Sequence, residues 1–312
     1  MRFDKVVVTG GSGLLGRFVV DALRDRCDVT VLDIKPSSRK VAYRHTDILD
    51  LEALSATIAG HDAVVHLAGI DDGNDFPDEV YFRTNVQGTW NLLHAAERAG
   101  VGKIVVASST AVYGLGHDGM PDYLPIDEGH AQRPKATYSL TKQLIEVACR
   151  SFVARGSLAI TCLRPTFIVR PEREAAILAQ LDLEDPESDP PAGATGDDGE
   201  APYGALSVLR GYVRSEDTAR CFRMALDYDG EPFDAFNVAA VDGIGHEPLL
   251  PRLERAYGRL PDIRDPARYQ SSPTASVFAS DRARERLGWE PRGDWNSIVD
   301  EQRSAKQRKS RP

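Results

Sequence analysis

The chain has 312 residues, of which 42% are hydrophobic and 27% charged, as is typical of a globular protein. Its net charge of −9 argues against a nucleic-acid partner, because phosphate contacts need a basic face. No apolar run reaches the roughly 18 residues that a membrane span needs, and a signal peptide does not fit before the first predicted strand. The four cysteines are scattered without metal-ligand spacing, so we expect no metal site. Because neither a membrane span nor a signal peptide is predicted, we expect a cytoplasmic protein.

The first half of the chain alternates short apolar stretches with amphipathic ones, which predicts βα units. The apolar stretches are rich in Val and Ile, as strands buried on both faces are. The predicted strands span residues 5–9, 28–33, 41–45, 63–67, 103–108 and 159–163. The predicted helices span residues 14–26, 51–59, 79–99, 138–155, 215–227, 249–257 and 280–287. The expected fold class is α/β, a Rossmann-type doubly wound parallel sheet with a small C-terminal substrate-binding portion.

A glycine-rich turn joins the first predicted strand to the first predicted helix. Its glycines are Gly10, Gly13 and Gly16, and residues without a Cβ let the backbone approach a ligand closely. The helix that follows directs unpaired N–H groups and a positive dipole end at an anion such as pyrophosphate. Asp33 ends the second predicted strand, where a carboxylate binds the adenosine ribose of NAD and repels the 2′-phosphate of NADP. The turn and the acid together predict an NAD site.

These motifs divide the chain into two predicted parts. Residues 1–165 are expected to form the NAD-binding core, and residues 166–312 a substrate-binding portion from which 206–240 returns to the core sheet. Between residues 182 and 203 the chain has eight acids and no Lys or Arg. Such a composition buries too little apolar surface to offset the cost of ordering, which predicts a flexible acidic insertion. A lid over the cleft and a passive linker both remain open.

Tyr138 and Lys142 lie four residues apart in a predicted helix and therefore share one face. A phenol has a pKa near 10, and a neighbouring ammonium group favours its ionised form. An apolar strand that ends in hydroxyl groups precedes this helix, and Ser109 there can hydrogen-bond a substrate oxygen. Tyr138 would then exchange the hydroxyl proton while hydride passes between the substrate carbon and the nicotinamide.

Taken together, these motifs resemble the extended short-chain dehydrogenases, specifically the NAD-dependent epimerase/dehydratase group. The glycine turn has the TGGxGxxG form of that group, and Tyr138 and Lys142 match its YxxxK pair. Residues 108–114 match its catalytic serine segment, which puts Ser109 at the catalytic position. The resemblance covers most of residues 3–245 and implies that Ser109 orients the substrate, Tyr138 is the acid/base, and Lys142 binds the nicotinamide ribose.

The same resemblance implies further cofactor contacts and a homodimer. Asp47 and Ile48 match the group's adenine-contacting pair, and Asn85 matches an asparagine that stabilises the active-site backbone. The dimer would form through the helices around 80–99 and 138–155. The cofactor-binding residues implied are Gly10, Gly13, Leu14, Leu15, Gly16, Asp33, Asp47, Ile48, Leu67, Ala68, Gly69, Asn85, Tyr138 and Lys142.

Departures from the group's pattern bear on the substrate, whose candidate contacts are Thr110, Phe167 and Arg210. Arg210 lies at the position of an arginine that touches a diphosphate. Phe167, however, lies in the region where members acting on nucleotide sugars have an asparagine, and the late Arg-x-Gly-Asp element is missing. One arginine is a single anchor for a diphosphate, so the sequence favours a smaller sugar, sugar acid or lactone.

The predicted function is NAD-dependent hydride transfer at a hydroxyl-bearing carbon of a sugar or sugar derivative. Net oxidation of a free sugar or uronic acid is one form of that reaction. One alternative is a nucleotide-sugar epimerase or dehydratase with tightly held NAD. Another is a non-catalytic NAD-binding sensor or scaffold, although such a role does not need Ser109, Tyr138 and Lys142 together.

Overall fold

The computed structural model describes residues 3–72, 74–116, 119–183 and 208–309. Eleven strands lie within these ranges: β1 (Lys5–Thr9), β2 (Asp28–Asp33), β3 (Ala42–His45), β4 (Ala63–His66), β5 (Lys103–Ala107), β6 (Tyr123–Leu124), β7 (Ala159–Pro165), β8 (Phe167–Val169), β9 (Tyr212–Arg214), β10 (Phe233–Val238) and β11 (Asp262–Ile263). Seven of them form one parallel sheet in the order β10-β7-β5-β4-β1-β2-β3. The predicted α/β class with a doubly wound parallel sheet is confirmed.

Helices cover both faces of this sheet. They are α1 (Gly16–Leu23), α2 (Leu51–Ile58), α3 (Asp78–Tyr81), α4 (Gly88–Ala99), α5 (Thr137–Val153), α6 (Pro171–Leu183), α7 (Ser215–Asp227), α8 (Leu249–Tyr257), α9 (Pro266–Ser271), α10 (Asp281–Leu287) and α11 (Trp295–Lys309). The central strand β1 explains the two layers. Val6 and Val8 pack with α1 and α7 on one face, whereas Val7 packs with α2, α4 and α5 on the other. All three are fully buried, which is why the strand has no polar alternation.

The predicted helix at 79–99 is in fact three consecutive segments. It begins as α3, continues as a π-helix over Phe82–Gln87, and ends as α4. Apolar spacing alone predicts a continuous helix, because a π segment of six residues is too short to set a period of its own. π segments occur often at functional sites, and this one contains Asn85.

Other predicted boundaries differ by a few residues. The first helix begins at Gly16, because Leu14 and Leu15 belong to the preceding turn, and it ends three residues before Arg26. The strand predicted at 159–163 extends to Pro165, because Arg164 and Pro165 continue its pairing with β10.

The C-terminal part adds two small parallel pairs, β8 with β9 and β6 with β11. Tyr212 packs edge-on against Trp295 of α11, so the last helix completes a small core beside the sheet. Of the predicted acidic insertion, residues 182 and 183 end α6, and residues 184–203 lie outside the described residues. Among the helices described, none is long and apolar enough to cross a membrane.

Two glycines with left-handed backbone provide a matched test of the turn after β1. Gly10 has φ +67°, and a Cβ there would lie 2.6 Å from the backbone nitrogen of Ala68. Gly60 has φ +78° but open space around it. Gly60→Ala should cost about 1 kcal/mol of unfolding free energy from backbone strain alone. Gly10→Ala should cost at least twice as much in urea titrations and also weaken NAD binding. Equal losses would show that the turn tolerates a side chain.

Candidate active site

The glycine turn forms a cradle that side chains would fill. The backbone N–H of Gly10 donates to the carbonyl of Leu32 (2.9 Å), and that of Gly13 donates to the carbonyl of Gly10 (3.0 Å). A Cβ on Gly16 would lie 2.1 Å from the Gly10 carbonyl oxygen, so only glycine lets the helix start so close to β1. The N–H groups at the start of α1 therefore line a shallow backbone surface, which fits a pyrophosphate.

Asp33 lies beside this turn at the end of β2. Its carboxylate accepts hydrogen bonds from the backbone N–H groups of Ser12 (3.0 Å) and Lys35 (2.9 Å). Arg39, a cation close to Asp33 in sequence, instead forms an ion pair with Asp21 (2.7 Å). A fixed carboxylate with the neighbouring guanidinium committed elsewhere suits the free ribose of NAD better than a 2′-phosphate.

The segment after β3 presents the predicted adenine-contacting pair. Asp47 is exposed, whereas Ile48 is buried against Gly88, where an added Cβ would lie 2.4 Å from the isoleucine side chain. The amide of Asn91 donates to the carbonyls of Ile48 (3.1 Å) and Leu49 (3.2 Å). Helix α4 therefore fixes this segment through both packing and hydrogen bonds.

A buried chain of hydrogen bonds runs beneath residues 67–69 and defines the protonation of His66. The Thr89 hydroxyl donates its one proton to the carbonyl of Asn85 (2.6 Å). In its hydrogen bond with His66 Nε2 (2.9 Å), the hydroxyl oxygen must therefore be the acceptor. Nε2 must then carry the proton, and Nδ1 accepts from the Thr9 hydroxyl (2.7 Å). The Thr9 oxygen in turn accepts from the two backbone N–H groups that follow His66. The imidazole is thus a neutral structural bridge.

Asn85 connects the loop after β4 to the helix of the predicted acid/base. Its amide makes two hydrogen bonds with the backbone of Ile70, at 2.7 and 3.0 Å, and donates to the Thr141 hydroxyl (3.1 Å). That hydroxyl donates to the carbonyl of Tyr138 (2.7 Å). A Cβ on Gly69 would lie 2.9 Å from the Asn85 carboxamide oxygen, so the loop packs directly on this side chain.

Ser109, which the sequence placed on another segment than Tyr138 and Lys142, meets these two residues at the end of β5. Lys142 Nζ donates to the carbonyl of Ala107 (2.9 Å) and lies 5.5 Å from the centre of the Tyr138 ring. Ser109 follows the strand, and its hydroxyl accepts from the backbone N–H of Ala111 (3.1 Å). Tyr138 and Lys142 are each only 8% exposed. The arrangement presents a hydroxyl, a phenol and an ammonium group to one small space.

The substrate candidates lie on neighbouring segments. The Thr110 hydroxyl donates to the carbonyl of Pro165 (3.4 Å), and Phe167 is half-buried in β8. Arg210 has a left-handed backbone, with φ +46°, and its guanidinium lies 3.5 Å from the Glu247 carboxylate.

A second arginine, which the sequence analysis missed, lies beside Arg210. Arg252 of α8 donates to the backbone carbonyls of Val208 (2.9 Å) and Glu247 (3.1 Å). A Cβ built on Gly243 would lie 3.7 Å from Arg210 Cβ and 3.8 Å from Arg252 Nη2, so the two arginines flank this glycine. No local sequence signal marks Arg252, because it lies 42 residues after Arg210 and reaches it only through the fold.

Residues 6–239 match the model of the NAD dependent epimerase/dehydratase family. The chain belongs to this family. A UDP-glucose 4-epimerase from Streptococcus mutans is 28% identical to it over 93% of this chain and 92% of its own length. The fold of the present chain is similar to that of an Agrobacterium tumefaciens short-chain dehydrogenase/reductase superfamily protein with bound NAD. The two are 27% identical with a TM-score of 0.69, and the match covers 98% of this chain and 99% of that chain. The fold is also similar to that of UDP-glucose 4-epimerase from Brucella ovis in complex with NAD, with 25% identity and a TM-score of 0.70. This match covers 95% of this chain and 96% of that chain.

The protein is therefore an enzyme of the extended short-chain dehydrogenase type, and NAD is its cofactor, as predicted. The alternative of a non-catalytic NAD-binding sensor or scaffold is set aside. Among the described residues, the glycine cradle and Asp33 fit the pyrophosphate and ribose ends of NAD. That Lys142 binds the nicotinamide ribose stays a prediction from the sequence.

The charges around Tyr138 differ from those that the YxxxK pair alone predicts. Burial raises the pKa of Tyr138 well above its usual value, and the negative charge of Asp71 raises it further, whereas hydrogen bonding to Ser109 lowers it. Burial also lowers the pKa of Lys142, and Asp71 opposes this shift. Burial and Asp71 therefore favour the protonated phenol in this epimerase/dehydratase family member.

Asp71 is a site residue that the sequence analysis did not single out. It follows Ile70, whose backbone Asn85 holds, and its carboxylate accepts from the backbone N–H of Asp72 (2.9 Å). The Tyr81 hydroxyl donates to the Asp71 carbonyl (3.3 Å). The available signal was an acid two residues after the segment 67–69, which the sequence predicts to contact the cofactor.

A buried ion pair connects the catalytic helix to the sheet. Arg164 of β7 makes two hydrogen bonds to the Glu146 carboxylate of α5 (2.8 and 2.7 Å), and both side chains are 2% exposed. The Ser108 hydroxyl donates to the same carboxylate (2.7 Å), and Arg164 donates to the Tyr113 hydroxyl (2.9 Å). Burial alone would raise the pKa of Glu146, but the hydrogen bonds and charge of Arg164 lower it.

The neutral His66 bridge predicts a specific loss of stability in acid. Burial, with a contribution from Lys142, lowers the pKa of His66 from 6.5 to about 3. Below the pKa of His66 in the unfolded chain, the unfolded chain binds a proton at this residue and the folded chain does not. Wild type should therefore lose about 1.4 kcal/mol per pH unit from this group as pH falls below about 6.5.

Urea unfolding at several pH values measures this slope, and His66→Gln serves as the reference because it lacks the titrating group. The difference in unfolding free energy between wild type and variant should shrink as pH falls. A difference that is constant from pH 7 to pH 5 would contradict a neutral His66.

Proposed function

We propose that this enzyme is a nucleotide-sugar 4-epimerase that inverts C4 of a UDP-hexose. In this proposal residues 1–165 bind NAD and residues 166–312 bind most of the nucleotide sugar. Relatives that align with nearly the whole chain, such as the Streptococcus mutans UDP-glucose 4-epimerase, support the proposal. The four cysteines are free, which agrees with a cytoplasmic location.

The observation that carries the proposal is the pair of arginines at Gly243. The sequence offered Arg210 as a single anchor, which favoured a smaller substrate. With Arg252 beside it, two guanidinium groups meet at one carboxylate oxygen of Glu247, at 3.5 and 4.0 Å. Burial together with the Arg210 charge lowers the pKa of Arg252 to about 10, although the Glu247 charge opposes this shift. Two planar cations side by side suit a diphosphate, whose two charges need several donors. We therefore favour the nucleotide sugar, which the sequence left as an alternative.

The proposed chemistry assigns one task to each residue. Ser109 hydrogen-bonds the C4 hydroxyl oxygen, and Tyr138 takes the hydroxyl proton and later returns it to the same oxygen. Lys142 holds the nicotinamide ribose and stabilises the phenolate as it forms. NAD, when bound, would supply the reversible hydride chemistry that inversion needs: the C4 hydrogen leaves one face of the sugar and returns to the opposite face of the keto carbon. Burial of Tyr138 and Lys142 keeps bulk water from the reacting carbon.

Replacement of the acid/base tests this assignment. Tyr138→Phe should reduce the rate of UDP-glucose to UDP-galactose conversion by about 10²–10⁴-fold, because only the proton-transfer group is lost. NAD content, measured after denaturation, should stay near that of wild type. Tyr228→Phe is the matched control, since its hydroxyl bonds Asp234 elsewhere on the sheet. If Tyr138→Phe retains a tenth of the activity, another residue transfers the proton.

The charge of Asp71 should set the pH dependence of the reaction. Its negative charge raises the pKa of Tyr138, so Asp71→Asn should lower that pKa and shift the rising limb of the kcat/KM profile to lower pH. Asp75→Asn is the control, because the same charge is removed from a neighbouring position that does not act on Tyr138. A shift of the same size in both variants would mean that the net charge of the region, and not Asp71 itself, sets the pH profile of kcat/KM.

We further propose a homodimer through α4, α5 and the π segment. Four large apolar side chains are exposed there: Phe82 (49%), Trp90 (41%), Leu140 (41%) and Val147 (57%). Leu140 and Val147 are seven residues apart on one helix and therefore share a face. A second copy of the same surface would cover all four, since α4 and α5 pack side by side and a two-fold interface is self-complementary.

Charged substitutions test the dimer. Leu140→Glu combined with Val147→Glu should give a monomer in gel filtration with light scattering, because like charges would meet across the two-fold axis. Val241→Glu is the control, as this valine is 53% exposed but lies outside α4 and α5. A monomeric wild type, or a dimer in the double variant, would rule out this interface.

A further inference from the structure

A polar cavity lies away from the catalytic residues, between α1 and α7. Its volume is about 250 Å³, and it contains four arginines and two acids: Arg26, Arg220, Arg223, Arg292, Glu216 and Asp217. It opens beside Ala22, six residues after Gly16 and therefore ~9 Å along α1 from the glycine cradle. The cavity is thus separate from the proposed pyrophosphate site of NAD.

The acids of this cavity are already engaged. Asp217 accepts from Arg220 (2.7 Å) and from the backbone N–H of Arg292 (2.8 Å), while Glu216 accepts from the Ser215 hydroxyl (2.9 Å). Arg220 also donates to the carbonyl of Glu290. Its Nε is nevertheless buried without a hydrogen-bond partner. Arg220 and Asp217 therefore neutralise each other and form one wall of the cavity.

The remaining cations lack such partners. Among the described residues, the guanidinium groups of Arg26, Arg223 and Arg292 make no hydrogen bond or close ion pair. Burial lowers the pKa of Arg223, repulsion from Arg26 lowers it further, and attraction by Asp227 only partly opposes this. With four arginines and two acids, the cavity has an excess of positive charge, although the whole chain carries −9.

We propose that this cavity binds a small anion that carries a diphosphate group. Arginine forks bind phosphate oxygens in pairs, and an anion between Arg223 and Arg292 would replace their mutual repulsion with attraction. The volume of about 250 Å³ accommodates a diphosphate but leaves little room for a large attached group. This site is independent of the proposed 4-epimerase reaction.

Calorimetric titration of the NAD-saturated protein with inorganic pyrophosphate tests the proposal, with ADP in a parallel titration. NAD saturation blocks the glycine cradle, and Arg210→Ala removes the proposed substrate anchor. Arg210→Ala should still bind one pyrophosphate, whereas wild type can bind a second one at the proposed substrate anchor. In the Arg210→Ala background, Arg223→Gln combined with Arg292→Gln should weaken the remaining binding at least tenfold. Both arginines are partly exposed and unpaired, so these changes leave the fold intact.

Arg264→Gln combined with Arg284→Gln removes the same charge from exposed arginines elsewhere and should change the affinity less than twofold. ADP that binds as tightly as pyrophosphate, and is weakened by the same double variant, would identify a nucleoside diphosphate as an occupant. Three results would overturn the proposal: no binding by wild type, equal weakening in the two double variants, or an adventitious ion only, with sulfate competing equally at millimolar concentration.

Discussion

The buried ion pair of Glu146 and Arg164 is the interaction on which the active site depends. It joins the helix that carries the proposed acid/base to β7, and its carboxylate also receives the hydroxyl of Ser108, the residue before Ser109. One buried carboxylate thus fixes both sides of the catalytic space. A pair this deep adds little net stability compared with apolar packing, but removal of one partner leaves a buried charge and costs about 3–5 kcal/mol. We infer that its role is to set geometry.

The charge distribution of the cleft matches the proposed substrate at both ends. Arg210 and Arg252 bring two positive charges to Gly243, where we propose that the diphosphate binds, whereas Asp71 places a negative charge near Tyr138. A hexose is neutral, so it meets no repulsion from that acid, and its hydroxyl groups can donate to a carboxylate. A uronic acid would bring a second carboxylate near the first. The same acid that delays ionisation of Tyr138 therefore also favours neutral sugars.

Local patterns made the cofactor half of the site predictable. The turn at Gly10, the acid at Asp33 and the Tyr138–Lys142 pair each depend on short spacings within one strand-turn-helix unit or one helix, so sequence alone identifies them. Asp71 and Arg252 acquire their meaning only from tertiary packing, which brings segments 67 and 42 residues apart into one cleft. The π segment depends on a single extra backbone residue. The tautomer of His66 depends on its buried hydrogen-bond partners. Neither leaves a periodic signal.

The central claim is that the enzyme removes and returns the same hydrogen at C4 of a UDP-hexose. Incubation of the purified enzyme with UDP-glucose deuterated at C4, followed by mass spectrometry and NMR of the UDP-galactose formed, tests it most directly. The account predicts that the product keeps its deuterium at C4 in unlabelled water and that no NADH accumulates. Loss of the deuterium to water, or stoichiometric formation of NADH with an oxidised sugar, would contradict it.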